Sequence, residues 1–362
     1  MLPIELLDGI IYGNGPGFAA ACRGVCREWH GLRDLPSALL EVHAPHDALM
    51  RAARHARVET FCALLDSIDT DAIEVYPGAL LNAAAGAGNV PMCRAMFETE
   101  LFWSAEDNVV ADSVFASAAR SGSVECCNIF IPRLKTPFDT VYNVFRDSIG
   151  AGAGTSDAVC VLLLDTMRTI TEGDAAPHPD HWLHLLFVLD LAIIHGRLGV
   201  CKAIMASVRS IENDMDNEAV CELMVRAAMH QTDICKYFCE HEGAKPCHRG
   251  NAALVHAASR GNTDLCTFLC DRERFGSSAA KPRTSNSAAL LAAAKGAHAA
   301  TCDALVRCGA DPRAKKSRAL VAAFERGHLE TCRVLLDAGA DPHDVSLPNR
   351  GVYDLISARR AM

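Results

Sequence analysis

Seventeen cysteines and fifteen histidines are the residues of this 362-residue chain best suited to chemistry. The stretch CKYFCEHEGAKPCH gathers Cys235, Cys239, His241, Cys247 and His248, residue types and spacings from which a zinc site can be built. HPDHWLH sets His178, His181 and His184 three apart, but Pro179 interrupts them and no acidic ligand shares a clear face. SGSVECCNIF places Cys126 beside Cys127. A nucleophilic thiol needs a depressed pKa, which nearby cations supply. Cys308 beside Arg307 and Cys22 beside Arg23 are the candidate exposed thiols on that criterion. RAKKSR concentrates Arg313, Lys315, Lys316 and Arg318, either a solvated fingertip or a contact for an acidic partner. The chain has no G-x-x-x-x-G-K-[ST] loop to cradle phosphate and no G-x-S-x-G elbow to present a serine nucleophile.

Composition narrows the function class. Half of the residues are apolar, so a large core is within reach, and the net charge of −9 argues against a general nucleic-acid binder. An odd number of cysteines cannot pair completely within the chain. Met1 leads into LPIELLDGII, with no basic segment and no small-residue cleavage site. The expectation is therefore a protein with reduced thiols in the cytoplasm or nucleus. WLHLLFVLDLAIIHG, the most apolar segment, carries His184 and Asp190 and is too short to span a bilayer. No cofactor, metal, membrane or nucleic acid is expected.

Most of the cysteines belong to an internal repeat. Sliding GHLETCRVLLDAGADP backward finds GNTDLCTFLC, HQTDICKYFCEHEGAKP, GRLGVCKAIM, GSVECCNIF and GNVPMCRAMF, with weaker copies AHAATCDALVRCGADP, GTSDAVCVLLLD and ARVETFCALLD. The shared column reads Phe61, Cys93, Cys127, Val159, Cys201, Cys235, Cys266, Cys302 and Cys332, with neighbours 30 to 36 residues apart except for the step to Cys201. Three positions on stand Leu64, Met96, Phe130, Leu162, Ile204, Phe238, Leu269, Leu305 and Leu335, which is helical spacing. Nine residues before the column lies a small residue, from Ala52 to Ala323, with Arg226 the exception. Glycines such as Gly122, Gly261 and Gly327 follow that small residue and end a helix. Each unit is therefore two short antiparallel helices, and the column cysteine is a small hydrophobe whose burial contributes roughly 1 to 2 kcal/mol. Cys126, one position before the column, is expected at the periphery. TEGDAAPHPDHW and RERFGSSAAKPRTSNS are expected to be loops between units.

This pattern, closing in EGAKP, CGADP or AGADP, resembles the ankyrin repeat over residues 47–362. The resemblance implies an all-α ankyrin-repeat solenoid of about nine repeats, with NRGVYDLISARR as a terminal cap. Ankyrin-type targets are read by the connections between repeats. That makes Asp311, Arg313, Lys315, Lys316, Asp341 and Asp344 the candidate target contacts.

Residues 1–40 lack the repeat columns. Leu2, Pro3, Glu5, Leu6, Ile10 and Ile11, the mid-segment Pro16, and Val25-Cys26-Arg27 followed by Trp29 together resemble the F-box. The resemblance implies that Leu2, Pro3, Leu6, Ile10, Val25 and Trp29 dock the Skp-type adaptor of a cullin-based ubiquitin ligase. An F-box ahead of many ankyrin repeats is similar to a family abundant in large DNA viruses of amoebae. The expectation is a monomeric, non-enzymatic substrate receptor that binds the adaptor at one end and a target protein through the repeats. The alternative is a ubiquitin-independent module that sequesters a cellular protein, with residues 1–40 as an end cap.

Overall fold

The computed structural model describes residues 49–50, 53–54, 77–98, 108–134, 137–150, 156–173, 181–210 and 216–345. The F-box-like segment and the terminal cap lie outside these residues. By contact, the chain divides into two compact units, residues 1–184 and 185–362. Every regular element among the described residues is helical.

The first unit holds α1 (Pro77–Gly86), α2 (Val90–Glu98), α3 (Asn108–Ser121), α4 (Val124–Phe130), α5 (Pro137–Gly150) and α6 (Asp157–Gly173). Each odd-numbered helix pairs with its successor, α1 packs on α3 and α3 on α5, and α4 packs between α2 and α6. Thus first helices stack on first helices and second on second. Ser117 hydroxyl donates to the Asn82 side-chain oxygen at 2.9 Å across the α1–α3 seam. Phe97 meets Phe130 edge-on at 6.2 Å across α2–α4. His184, at the boundary, lies against the Tyr142 ring at 4.3 Å.

The second unit opens within α7 (His181–Ile194). It continues through α8 (Leu198–Ser210), α9 (Asn217–His230), α10 (Thr232–His241), α11 (His248–Ser259) and α12 (Thr263–Leu269). It then runs through a single turn α13 (Arg272–Phe275), α14 (Thr284–Lys295), α15 (Ala299–Arg307), α16 (Ala314–Glu325) and α17 (Leu329–Asp337). The stacking rule is the same: α9, α11, α14 and α16 pack in succession, as do α8, α10, α12, α15 and α17.

The cysteine column is set by the start of each second helix. The N–H groups of Cys93, Cys127, Cys160, Cys201, Cys235, Cys266, Cys302 and Cys332 each donate to the carbonyl of the N-cap residue four positions earlier. This corrects the register at one unit. Ser156 caps α6, so Cys160 rather than Val159 holds the column, and the fully buried Leu163 rather than the half-buried Leu162 follows it. The column is thus cysteine in all eight described copies, each at most 1% exposed. Phe61 lies outside the described residues.

A second correction concerns Cys126, which is buried rather than peripheral. Its position, one before the column, is closed in every described copy: Met92, Cys126, Val159, Val200, Ile234, Leu265, Thr301 and Thr331. Residues four apart share a helix face, so this position sits above the apolar residue three after the column. Polar Thr301 is tolerated there because its hydroxyl pairs with that of Thr263 at 2.8 Å.

Arg226 proves to be no exception to the small column. The α9–α10 turn is one residue shorter than the others: Gln231 N–H returns to the Ala227 carbonyl at 2.7 Å, and fully buried Ala227 takes the small position. Arg226 turns outward and pairs with Asp190. The turns at Gly88, Gly196, Gly261, Ala297 and Gly327 close in the two-bond pattern typical of a left-handed helix terminus. Asn262 N–H reaches Ala257 O at 3.0 Å and Gly261 N–H reaches Ala258 O at 3.1 Å. The left-handed position is glycine in these turns except at Ala297, with φ +62°. The stretch expected to be a loop after Cys270 contains α13, capped by the Asp271 carboxylate accepting from Glu273 and Arg274 N–H. Phe275 then packs on Phe268 at 5.2 Å.

Candidate protein-binding surface

Four connections in the second unit share one plan: Ala244-Lys245-Pro246, Ala280-Lys281-Pro282, Ala310-Asp311-Pro312 and Ala340-Asp341-Pro342. The alanines are buried. The next N–H in each is held by a buried side chain of the preceding first helix. Lys245 N–H donates to the Cys221 sulfur at 3.2 Å and Lys281 N–H to Asn251 Oδ1 at 3.0 Å. Asp311 N–H donates to Ser287 Oγ at 2.9 Å and Asp341 N–H to Ser317 Oγ at 2.8 Å. A thiol, an amide and two hydroxyls therefore fill one structural role.

A second tie reinforces three of the four connections. Asn217 Nδ2 donates to Gly243 O at 3.3 Å, Arg283 Nε to Gly309 O at 3.2 Å, and Arg313 Nε to Gly339 O at 2.8 Å. Beyond the first three connections the chain makes a left-handed turn of three residues at 249–251, 285–287 and 315–317, with φ between 44° and 71°. Such backbone is costly for residues other than glycine. The turn aims its last residue inward: Asn251, Ser287 and Ser317 are at most 3% exposed and make the locks just described.

These ties fix where the exposed charges lie. Lys281, Arg283, Arg313, Lys315, Lys316 and Arg318 are all exposed on successive connections and the helix starts beside them. The acidic residues between them are partly spent on the backbone. Asp311 Oδ1 accepts from Arg313 N–H at 3.0 Å, and Asp341 Oδ1 accepts from His343 N–H at 2.9 Å. A cavity of about 290 Å³ lies between two connections, lined by Ser285, Asn286, Leu291, Asp311, Lys315 and Arg318 among others. A second, of about 520 Å³, is lined by Arg272, Lys281, Arg283, Thr284, Cys308 and Gly309 among others.

The structure separates the six target-contact residues expected from sequence into two kinds. Lys315 and Lys316 are exposed on a left-handed turn. Asp311, Arg313 and Asp341 shape the connections, and Asp344, half-buried, ends a short 3-10 turn at Pro342–Asp344. Sequence reasoning passed over Lys281 and Arg283; it placed Arg318 in the RAKKSR basic cluster without counting it among the six target contacts. The signal was available: Ala280-Lys281-Pro282-Arg283 aligns with Ala310-Asp311-Pro312-Arg313, but six inserted residues hid the match. Leu2, Pro3, Leu6, Ile10, Val25 and Trp29 lie outside the described residues.

The would-be zinc residues have other engagements. Cys235 and Cys239 are buried in α10, His241 stacks on Tyr237 at 5.2 Å, and His248 pairs with Glu222 at 2.9 Å. Burial pushes the column thiols Cys127, Cys266 and Cys302 up to about 12 and Cys332 to about 11. Neutral thiols of this kind are poor nucleophiles and poor metal ligands.

The family model described as Ankyrin repeat matches residues 319–347. Over that segment the chain is similar to an ankyrin repeat. The match spans most of α16, all of α17 and the connection through Val345, so it includes the Asp341 lock and the Cys332 column position. The three helix pairs before it, α9–α10, α11–α12 and α14–α15, reuse the same column and lock, giving an all-α, ankyrin-like stack within the second unit. No curated protein matches the chain. Among the described residues no helix is long and apolar enough to cross a membrane.

Proposed function

We propose that the chain is a protein-binding module whose target is an acidic segment held by the connections at residues 281–318. One observation supports this reading above the others. A chain of net charge −9 exposes six cations on two consecutive connections, around clefts whose carboxylates are partly engaged with backbone. Rigid loops with fixed cations bind an acidic peptide with little ordering cost, and complementary charge raises the association rate. The ankyrin repeat at 319–347 supports the interaction role, since such repeats are non-catalytic binding modules.

The finer reading is that the module is the substrate receptor of a cullin-based ubiquitin ligase. Its support is the F-box resemblance of Leu2, Pro3, Leu6, Ile10, Val25 and Trp29, read from sequence. The alternative role is sequestration of the same target without ubiquitin.

Two experiments test these readings. Proximity labelling in the native cell identifies the target, and its affinity is then measured for wild type and for Lys315→Glu/Lys316→Glu/Arg318→Glu. The triple reversal is expected to weaken binding at least roughly tenfold, with a salt dependence lost in the variant. Unchanged affinity would reject the basic loops as the site. Purified Skp-type adaptor is expected to bind wild type and not Leu6→Ala/Trp29→Ala. No binding to wild type favours sequestration.

A further inference from the structure

Building on the acidic target read above, we propose that Arg283 and Arg313 form a two-rung guanidinium ladder that selects two carboxylates three residues apart on a polyproline-II segment of that target. Arg283 directly follows Pro282 and Arg313 directly follows Pro312, so they hold one position in consecutive repeats. Both are fixed alike: Nε–H donates to the carbonyl of the glycine just before the next buried alanine, Gly309 at 3.2 Å and Gly339 at 2.8 Å. Both side chains are exposed, and among the described residues neither makes any other hydrogen bond or ion pair. Four other exposed arginines of this unit are spent: Arg226 on Asp190, Arg249 on Glu222, Arg274 on Glu240 and Arg307 on Asp303. Asp311, between the rungs in sequence, does not neutralise them, since its Oδ1 accepts from the Arg313 backbone N–H at 3.0 Å. The ladder stops at two because Cys247 and His343 hold this position in the flanking repeats.

A guanidinium tied through Nε keeps both Nη groups for a carboxylate, and its planar fork is held in one orientation before the ligand arrives. The first helices of the two repeats, α14 and α16, pack against each other. Packed helices lie about 8 to 10 Å apart, so equivalent side chains repeat at about that interval. A polyproline-II segment has three residues per turn and rises about 3.1 Å per residue, which puts side chains three apart on one side at about 9 Å. A β-strand turns residues three apart to opposite faces. An α-helix reaches a like interval only with acids seven apart, at about 10.5 Å, and a short isolated helix is marginal in water. Polyproline-II backbone is solvated and already extended, so little ordering is lost on binding. Lys281, Lys315 and Arg318, exposed and without a carboxylate partner among the described residues, surround the rungs with further positive charge.

The test titrates the full chain with fluorescent peptides at low salt, about 50 mM, where charge is weakly screened, and reads binding by anisotropy. Four peptides each carry two glutamates, set as Glu-Pro-Pro-Glu, Glu-Pro-Glu, Glu-Gly-Gly-Glu, or seven apart in an alanine helix. Glu-Pro-Pro-Glu is expected to bind at least roughly fivefold more tightly than the other three. In Arg283→Gln and in Arg313→Gln, with folding checked by circular dichroism, that preference should vanish, because one rung cannot measure a spacing. A preference that survives either substitution would remove the two arginines as its source. Equal affinity for all four peptides in wild type, with binding lost in Lys315→Glu/Lys316→Glu/Arg318→Glu, would overturn the ladder and leave the acidic-target reading standing. Binding to none of them would overturn both.

Discussion

Ala297 occupies a backbone position that its neighbours give to glycine. At φ +62° its Cβ crowds the following carbonyl, a cost of about 1 kcal/mol for an L residue. Ala297→Gly should therefore raise unfolding stability by about 1 kcal/mol, measured by urea titration. The reverse change in the preceding turn, Gly261→Ala, should cost more, because its new Cβ would sit 2.4 Å from the His298 ring. The column thiols make a second prediction at this scale. Burial raises Cys127, Cys266 and Cys302 from 9.0 to about 12 in the folded chain. Above pH 9 the unfolded chain therefore releases protons that the folded one retains, and stability falls as pH rises from 9 toward 12. At pH 10 the loss is about 1 kcal/mol per thiol. Denaturation of wild type against Cys266→Val/Cys302→Val across pH 8 to 10.5 checks it: the steep alkaline loss should be smaller in the variant.

Each helix pair is held to the next by few but well-buried bonds. Ser317→Ala removes the acceptor for Asp341 N–H in a site with no exposed surface, which should cost about 1 to 3 kcal/mol. Because each repeat touches only its neighbours, the loss should stay local. Hydrogen exchange should quicken in α16, α17 and the connection at 339–345 while α9 and α10 keep their protection. Equal loss across the second unit would contradict nearest-neighbour stacking. The elements themselves were legible in the sequence, since apolar residues three apart and a small residue nine earlier suffice for a helix pair. Register was less so. Val159 and Cys160 are both apolar and buried, and only the Ser156 cap decides between them. Arg226 misled because a one-residue shorter turn displaced the alanine column, and Thr301 and Thr331 concealed a buried position behind polar side chains.

At the scale of the molecule, one column thiol in each of the eight described repeats is closed off from solvent, while cations cluster on the connections of the second unit. The column was readable because packing is periodic. The binding surface was read only in part, since exposed charges carry no period and an insertion masked Lys281 and Arg283. The account's central claim is this division between hidden and open thiols. Native-state maleimide labelling of the reduced full chain, followed residue by residue by mass spectrometry, tests it most directly. Cys127, Cys201, Cys235, Cys266, Cys302 and Cys332 should react at least about a hundredfold more slowly than Cys247, Cys270 and Cys308, because they label only when a repeat opens. Column thiols that label as fast as the open ones would contradict the stacked helix pairs on which the rest depends.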